Sequence, residues 1–156
     1  MGWPRHTVGL ARLVPMLCAI WAAPACASLG GDAVEIGADQ QAVHASLSVK
    51  ATALYNVQEL STESGMRIRE YVNARGKIFA VAWSGPIPPD LRQLLGPYYA
   101  EYTSALLKLQ PLGVHRALRI STPTLAVELD GHMRAHSGRA YLPLLIPAGV
   151  PMAELR

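Results

Sequence analysis

The spacing of apolar residues predicts three neighbouring β-strands in the first half of the chain. Residues 52 to 60, 66 to 73 and 77 to 84 are strand-like runs of apolar and β-branched side chains. Gly65 and Gly76 lie in the two short connections, and glycine readily adopts the positive φ that tight turns require. The pattern therefore predicts an antiparallel meander.

The register of this meander predicts one apolar and one polar face. Arg67, Arg69 and Tyr71 are expected on the polar face, together with Ala80 and Ala82. The residues expected on the buried face are Ile68, Val72, Phe79, Val81 and Trp83.

Glu70 also falls on the buried face of this sheet. Burial disfavours the charged form of a carboxyl group and raises its pKa. Two interpretations stay open alongside a raised pKa: a buried ion pair with an arginine, or a different strand register.

Two segments have helical periodicity. The central one begins at Pro89-Asp90, with the acid near the positive end of the helix dipole. It is interrupted at Gly96-Pro97 and resumes as far as Leu109. The other segment covers residues 38 to 47, where apolar residues recur every three to four positions.

The last third of the chain returns to strand patterns, at roughly residues 114 to 121, 124 to 129, 132 to 137 and 139 to 142. Asp130-Gly131 predicts a hairpin turn, and a three-residue loop would align Met133 and Ala135 with Leu129 and Val127. Together the elements predict an α+β domain: an antiparallel sheet of about six or seven strands packed against a central helix, with a short N-terminal helix.

Residues 1 to 27 have the features of a secretory signal peptide. Arg5 and Arg12 flank an apolar core over residues 13 to 23, and Ala25-Cys26-Ala27 has the small-x-small form of a cleavage site. We therefore expect a single domain over residues 28 to 156 in the periplasm or the medium. The alternatives are an uncleaved membrane anchor and lipidation at Cys26.

Cleavage after Ala27 changes the composition of the remaining 129 residues. Both cysteines lie in the leader, so the mature domain has no disulfide and depends on its core. The chain of 156 residues carries a net charge of +3, but the mature part has 12 basic and 11 acidic residues. This near-neutral balance argues against nucleic-acid binding, and no membrane span is expected after cleavage.

Two histidines raise the question of a metal site. His132 and His136 are expected on one strand, with Glu128 or Asp130 nearby as a third ligand. Strand residues four apart are roughly 13 Å apart along the backbone, so the ligands converge only if the strand bends. The alternative is that Asp130 belongs to a turn and that both histidines are surface residues. We expect the protein to bind no cofactor.

Two aromatic and basic groups are candidate ligand-binding residues. One hairpin carries four basic residues, with Tyr55 and Tyr71 expected on the outer face, and could bind an anionic polymer or phosphate: Arg67, Arg69, Arg75 and Lys77. The alternative is a solvated face in which Glu59 lies opposite Arg67. Tyr98 and Tyr102, one helical turn apart, suit either a carbohydrate-stacking platform or packing of the helix on the sheet.

Several blocks along nearly the whole mature chain carry a family resemblance. They are Ser28-Leu29-Gly30-Gly31, Arg69-Glu70-Tyr71-Val72, Gly76-Lys77-Ile78-Phe79-Ala80-Val81-Ala82-Trp83, Pro89-Asp90-Leu91-Arg92-Gln93-Leu94-Leu95-Gly96, Gly131-His132-Met133-Arg134-Ala135 and Gly138-Arg139-Ala140-Tyr141-Leu142-Pro143. In this order they resemble a small exported family of Gram-negative bacteria, domain of unknown function 2844. The resemblance implies an exported single-domain protein and assigns no activity, cofactor or functional residue.

Two functional hypotheses follow from these observations. The first is a non-catalytic periplasmic or secreted module that binds an envelope protein or a polysaccharide through an exposed sheet face or edge. The second is a small cell-envelope hydrolase or metal-dependent enzyme that uses the hairpin of His132 and His136. The sequence contains no phosphate loop, nucleophile elbow or metal-binding cysteine pair.

Overall fold

One antiparallel sheet of seven strands forms the body of the protein. The computed structural model describes residues 28–33, 45–109 and 117–156. The strands are β1 (Ala45–Ala51), β2 (Tyr55–Thr62), β3 (Arg67–Asn73), β4 (Ile78–Gly85), β5 (Ala117–Ser121), β6 (Ala126–His132) and β7 (Ala135–Tyr141). Their spatial order is β1-β2-β3-β4-β7-β6-β5, so two meanders join where β7 pairs with β4. The predicted antiparallel sheet of six or seven strands is confirmed.

The predicted central helical segment is also confirmed. It consists of α1 (Leu91–Leu95), a 3₁₀ turn (Gly96–Tyr98) and α2 (Tyr99–Leu109). The Asp90 carboxylate caps α1 by accepting hydrogen bonds from the backbone N–H groups of Arg92 and Gln93, at 2.8 and 3.4 Å. Across the described ranges, no helix is both long enough and apolar enough for a membrane span.

The N-terminal helix predicted over residues 38 to 47 is not found in the described part of this segment. Residues 34–44 lie outside the described residues, and residues 45–47 belong to β1. Here β1 pairs with β2 in continuous register, from Ala45 opposite Thr62 to Ala51 opposite Asn56. Pairing with a neighbouring strand overrides the local helical spacing of these residues.

A β-bulge between β3 and β4 corrects one predicted orientation. Tyr71 pairs with Ala80 and Val72 with Ile78, so Phe79 is an extra residue on β4. The Phe79 ring therefore packs near Tyr71 on the face opposite to Val81 and Trp83. The expectation that Phe79 shares a face with Val81 and Trp83 is wrong, although all three are buried as expected.

The β6–β7 hairpin corrects a second prediction. Gly131 lies within β6 opposite His136, and the turn consists of Met133 and Arg134, where Arg134 has φ of 65°. The predicted turn at Asp130-Gly131 is therefore wrong, as is the predicted division of the following residues into two strands.

The observed hairpin register keeps apolar and small residues together on one face. Val127 pairs with Ala140, and Leu129 pairs with Gly138. A Cβ atom added at Gly138 would lie 2.7 Å from Cε2 of the Trp83 indole, so the ring needs a glycine here.

The inner face of the sheet and the helical segment contribute to one hydrophobic cluster. Its buried members include Val81 and Trp83 from β4 and Leu94, Leu95 and Tyr102 from the helical segment. We call this cluster the inner core.

A segment at residues 28–33 joins the inner core. Leu29 is fully buried, and its backbone N–H donates to the Leu94 carbonyl at 2.9 Å. The Gly30 N–H donates to the Ile78 carbonyl at 2.8 Å, which ties the segment to β4 as well.

The outer face of the sheet is covered over only part of its area. Residues 143–156, which contain 3₁₀ turns at Pro143–Leu145 and Met152–Glu154, contribute Leu155 to an aromatic cluster with Tyr55, Tyr71 and Phe79. Leu155 is fully buried, and we call residues 150–156 the C-terminal strap. The rest of the outer face is open, and the site described below lies there.

Candidate functional site

A groove of about 860 Å³ lies on the open part of the outer face, beside the C-terminal strap. Small side chains line its floor, because Ala82 and Ser84 of β4 and Ser137 of β7 face it. Five arginines also line it, and we call it the arginine groove: Arg67, Arg69, Arg119, Arg139 and Arg156.

Strand pairing explains how arginines from distant parts of the chain meet here. Two rows of residues run across the strands. The first is Glu59–Arg69–Ala82–Arg139–Glu128–Arg119, and the second is Ser61–Arg67–Ser84–Ser137–Asp130–Ala117. Because residues two apart on a strand share a face, the two rows lie side by side on the outer face.

Arg139 connects the floor of the groove to the C-terminal strap. Its Nη2 donates to both carboxylate oxygens of Glu128, at 3.0 and 2.9 Å. Its Nη1 donates to the carbonyls of Met152 and Leu155, at 2.6 and 3.3 Å. Hydrogen bonds in which the donor or the acceptor is charged are the stronger ones, so this guanidinium holds the strap in place.

Arg69 makes an equivalent connection on β3. Its Nε donates to Glu59 at 2.6 Å, and its Nη1 donates to the backbone oxygen of Arg156 at 2.6 Å. The hydrogen bond that Arg69 donates to the Glu59 carboxylate raises the pKa of Arg69 above its ordinary value. The predicted pairing of Glu59 with Arg67 is wrong, because the β2–β3 register places Glu59 opposite Arg69 and Ser61 opposite Arg67.

Arg67 and Arg119 differ from these two arginines. Both are exposed, and among the described residues neither guanidinium has a hydrogen-bond or ion-pair partner. Glu128 is the cross-strand neighbour of Arg119, but both of its oxygens accept from Arg139. The Arg156 guanidinium is exposed and also has no partner among the described residues, since only the backbone of Arg156 bonds to Arg69 and Tyr71. Arg67 and Arg119 remain available at opposite sides of the groove.

The aromatic candidates are buried or partly buried. Tyr71 lies on the outer face as predicted, but it is only 2 % exposed beneath the C-terminal strap, and burial raises its pKa. Tyr102 is 6 % exposed within the inner core, and its pKa is raised by burial. The Tyr98 ring packs close to Gly30, where an added Cβ would lie 2.7 Å from a ring carbon. These positions agree with packing of the tyrosines rather than with an open stacking platform.

The histidines lie on different strands of one hairpin. His132 pairs with Ala135, and His136 pairs with Gly131, so the two are not four residues apart on one strand. His136 lines a smaller cavity of about 360 Å³ with Asp130 and Ser137. Within residues 28–33, 45–109 and 117–156, no three His, Cys, Asp or Glu side chains form a group that could hold a metal ion.

Glu70 is buried on the inner face, as the sequence predicts, at 8 % exposure. Its Oε2 has no hydrogen-bond partner, and neither has Oε1 of Gln58, the residue opposite it on β2. Burial raises the pKa of Glu70 to about 7. In the described part of the chain no arginine pairs with it, which removes the predicted alternative of a buried ion pair.

Sequence reasoning found two of the five groove arginines, Arg67 and Arg69, and missed Arg156 as well as the two on the second meander, Arg119 and Arg139. The alternation of polar and apolar residues within β5, β6 and β7 would have placed both on a polar face. Because the turn was predicted at Asp130-Gly131, the register of β7 against β6 was predicted incorrectly. The pairing of β7 with β4, which brings the two halves of the groove together, has no signal in local sequence.

Comparison with known proteins places the chain in a family. The family model described as "Protein of unknown function (DUF2844)" matches residues 25–155, so the chain belongs to this family. The resemblance seen in the sequence is thereby confirmed. The searches of curated proteins and of solved structures found no match.

Proposed function

We propose that this member of the DUF2844 family is an exported, non-catalytic binding module, and that the arginine groove is its binding surface for an anionic partner in the cell envelope. The observation that carries this proposal is the pair of exposed guanidiniums, Arg67 and Arg119, beside a groove of about 860 Å³. Arginine presents a planar fork of donors that suits carboxylate and phosphate groups.

The difference in contacts between the paired and the free arginines supports a binding role for the groove. Arg69 and Arg139 have carboxylate partners and hold the C-terminal strap, so they shape the groove. Arg67 and Arg119 make no such contact with the described residues, so their guanidiniums are available to bind a ligand. Glu70, the acid whose pKa is raised to about 7, lies on the opposite face of the sheet and does not line the groove.

Export is the second part of the proposal. The predicted leader ends at Ala27, and the core residue Leu29 comes two positions later. Cleavage after Ala27 would therefore leave the contacts of Leu29 and Gly30 with the domain intact.

Mass spectrometry of the protein from fractionated cells tests export. We expect a species that starts at Ser28 in the periplasm or the medium, and a lipid-modified species that starts at Cys26 would identify the lipid-anchored alternative. Recovery of the chain with Met1 from the cytosol alone would contradict the proposal.

Co-sedimentation of the purified protein with cell envelopes tests the binding surface. We expect the double variant Arg67→Ser/Arg119→Ser to lose most of its retention, because it removes the free positive charges at the two opposite sides of the groove. Arg75→Ser is the matched control, since Arg75 is an exposed arginine in the β3–β4 turn, outside the groove. Equal retention of the double variant and the wild type would show that the groove is not the binding surface.

The enzyme alternative has one observation in its favour, the smaller cavity lined by His136, Ser137, Asp130 and Ser84. Purified protein can be assayed for bound metal by elemental analysis. A stoichiometric metal that is lost in His132→Ala would favour the enzyme, and the same metal content in both proteins would argue against this hairpin as its site.

A further inference from the structure

We infer that the ligand of the arginine groove is a linear acidic polysaccharide that lies across the strands from Arg67 to Arg119. This inference rests on the proposed binding function and specifies the chemistry of its ligand. Three features of the groove lead to it: the separation of the guanidiniums of Arg67 and Arg119, the hydroxyl-bearing floor, and a carboxylate between these two charges that has no partner in the described part of the chain.

The separation of the free guanidiniums favours an extended ligand. Arg67 lies on β3 and Arg119 on β5, and the order β3-β4-β7-β6-β5 puts four strand spacings between them. Neighbouring strands are about 4.8 Å apart, so the backbones at these two positions are roughly 19 Å apart. A single phosphate or carboxylate group cannot bridge that distance, whereas a chain with repeated charges can.

The space between the two arginines accommodates a chain. Along the rows that join them, the residues on β4 and β7 include Ser84 and Ser137, whose short, exposed side chains leave the floor low, and Ala82, which is buried. The one long side chain there, Arg139, is held down by Glu128 and by the carbonyls of the C-terminal strap. The Ser137 hydroxyl donates to the backbone oxygen of Asp130 at 3.4 Å, a contact within the floor itself.

The polar groups of the floor suit a saccharide. Ser84 and Ser137 carry exposed hydroxyls that both donate and accept, and Asp130 is an exposed carboxylate that only accepts. Asp130 lies in the same row as Arg67, between the two free positive charges. The hydroxyls of a sugar ring can donate to Asp130, while the acid groups of the chain meet Arg67 and Arg119.

An acidic peptide fits this surface less well. Extended peptides gain affinity from main-chain hydrogen bonds to a sheet edge. The floor of the groove is a sheet face, where the backbone groups of β4 and β7 already bond to neighbouring strands. The peptide amides would lose water there with few partners in return, and Asp130 would repel the acidic side chains.

Isothermal titration of the full protein with polygalacturonate tests the inference, with the fully methyl-esterified polymer as the uncharged control. We expect binding of the acidic polymer only, and an affinity about tenfold weaker or more in Arg67→Ser/Arg119→Ser. Arg75→Ser is again the matched control, and equal unfolding midpoints would show that each variant is folded. We also expect affinity to rise with oligomer length, since a short oligomer reaches one arginine and a longer one reaches both.

Four outcomes would overturn the inference. The first is that polygalacturonate does not bind. The others are that the protein binds the esterified polymer, polyglutamate, or monomeric galacturonate or inorganic phosphate at least as tightly as it binds polygalacturonate. Asp130→Ala gives a further distinction. It should weaken the binding of polygalacturonate and strengthen that of polyglutamate, and strengthening of both would mean that charge alone is recognised.

The envelope co-sedimentation experiment separates this inference from the proposed function. If retention depends on Arg67 and Arg119 while polygalacturonate does not bind, the binding surface stands and the ligand class is wrong. If neither measurement depends on these arginines, both are wrong.

Discussion

The two parts of the outer sheet face are built on the same strands but differ in what covers them. Over β2, β3 and β4, the rings of Tyr55, Tyr71 and Phe79 lie beneath the C-terminal strap, with ring centroids 5.8 to 6.2 Å apart. The arginine groove, which crosses from Arg67 on β3 to Arg119 on β5, carries charged and small residues and stays open. One face of the sheet thus supplies both a core and the proposed binding surface.

The C-terminal strap accounts for this difference. Leu155 fills the aromatic cluster, while the backbone oxygens of the strap accept from Arg69, Tyr71 and Arg139 at the boundary with the groove. The strap is therefore the cover of one part and a wall of the other. Substitutions in the covered part should change stability, and substitutions of free groups in the open part should change binding.

The largest effect is expected in the covered part. Phe79→Ala removes a fully buried ring from the aromatic cluster and should lower the free energy of unfolding by about 3–5 kcal/mol. Urea unfolding followed by circular dichroism measures this value. A change within about 0.5 kcal/mol, which is typical of exposed surface sites, would contradict the described burial of this ring.

Carboxyl groups give a second comparison between the two faces of the sheet. On the outer face, Glu59 and Glu128 have arginine partners. On the inner face, Glu70 has no arginine partner among the described residues. The pKa of Glu70 is raised from 4.5 to about 7 in the folded protein. The native state therefore holds this proton more tightly than the unfolded state, and stability falls as the pH rises from 4.5 to 7. The loss is on the order of 3 kcal/mol.

Unfolding of wild type and Glu70→Gln across this pH range measures the effect. We expect the variant to lose this part of the pH dependence and to be more stable than the wild type at pH 8. An unchanged pH profile in Glu70→Gln would show that Glu70 does not titrate in this range.

A matched pair of arginine substitutions separates the structural guanidiniums from the free ones. Arg139→Met removes the hydrogen bonds to Glu128 and the strap and should cost about 1.5–3 kcal/mol of stability. Arg119→Met should change stability by less than about 0.5 kcal/mol and weaken binding to cell envelopes. Thermal unfolding and co-sedimentation of the two variants test both statements, and equal losses of stability would contradict the distinction.

Local sequence was sufficient for elements whose signals are local. Asp90 marked the start of the helical segment because its side chain caps the backbone N–H groups two and three residues later. The alternation of β3 placed Arg67 and Arg69 on one face and Glu70 on the other, and the register with β2 and β4 confirms both placements.

Signals that depend on distant partners were misread or absent. Asp130-Gly131 looks like a turn, but Gly131 lies inside β6, because this register places Gly138 beneath the Trp83 ring. The bulge at Phe79 follows from the fit of its ring among Tyr55 and Tyr71, which come from two other strands. The residues next to Gly138 and Phe79 in the sequence do not indicate that these two positions contact Trp83 and the tyrosine rings.

The amino-acid pattern alone was enough to specify an antiparallel sheet, an interrupted helix and a polar face on β3, since strand period and helix capping act over a few residues. The groove itself came from long-range packing: β7 pairs with β4, Arg119 and Arg139 join Arg67 and Arg69, and the strap covers one part of the face. These contacts join residues far apart in the chain. Local sequence permits many strand pairings, and burial and hydrogen bonding between distant segments determine which of them forms.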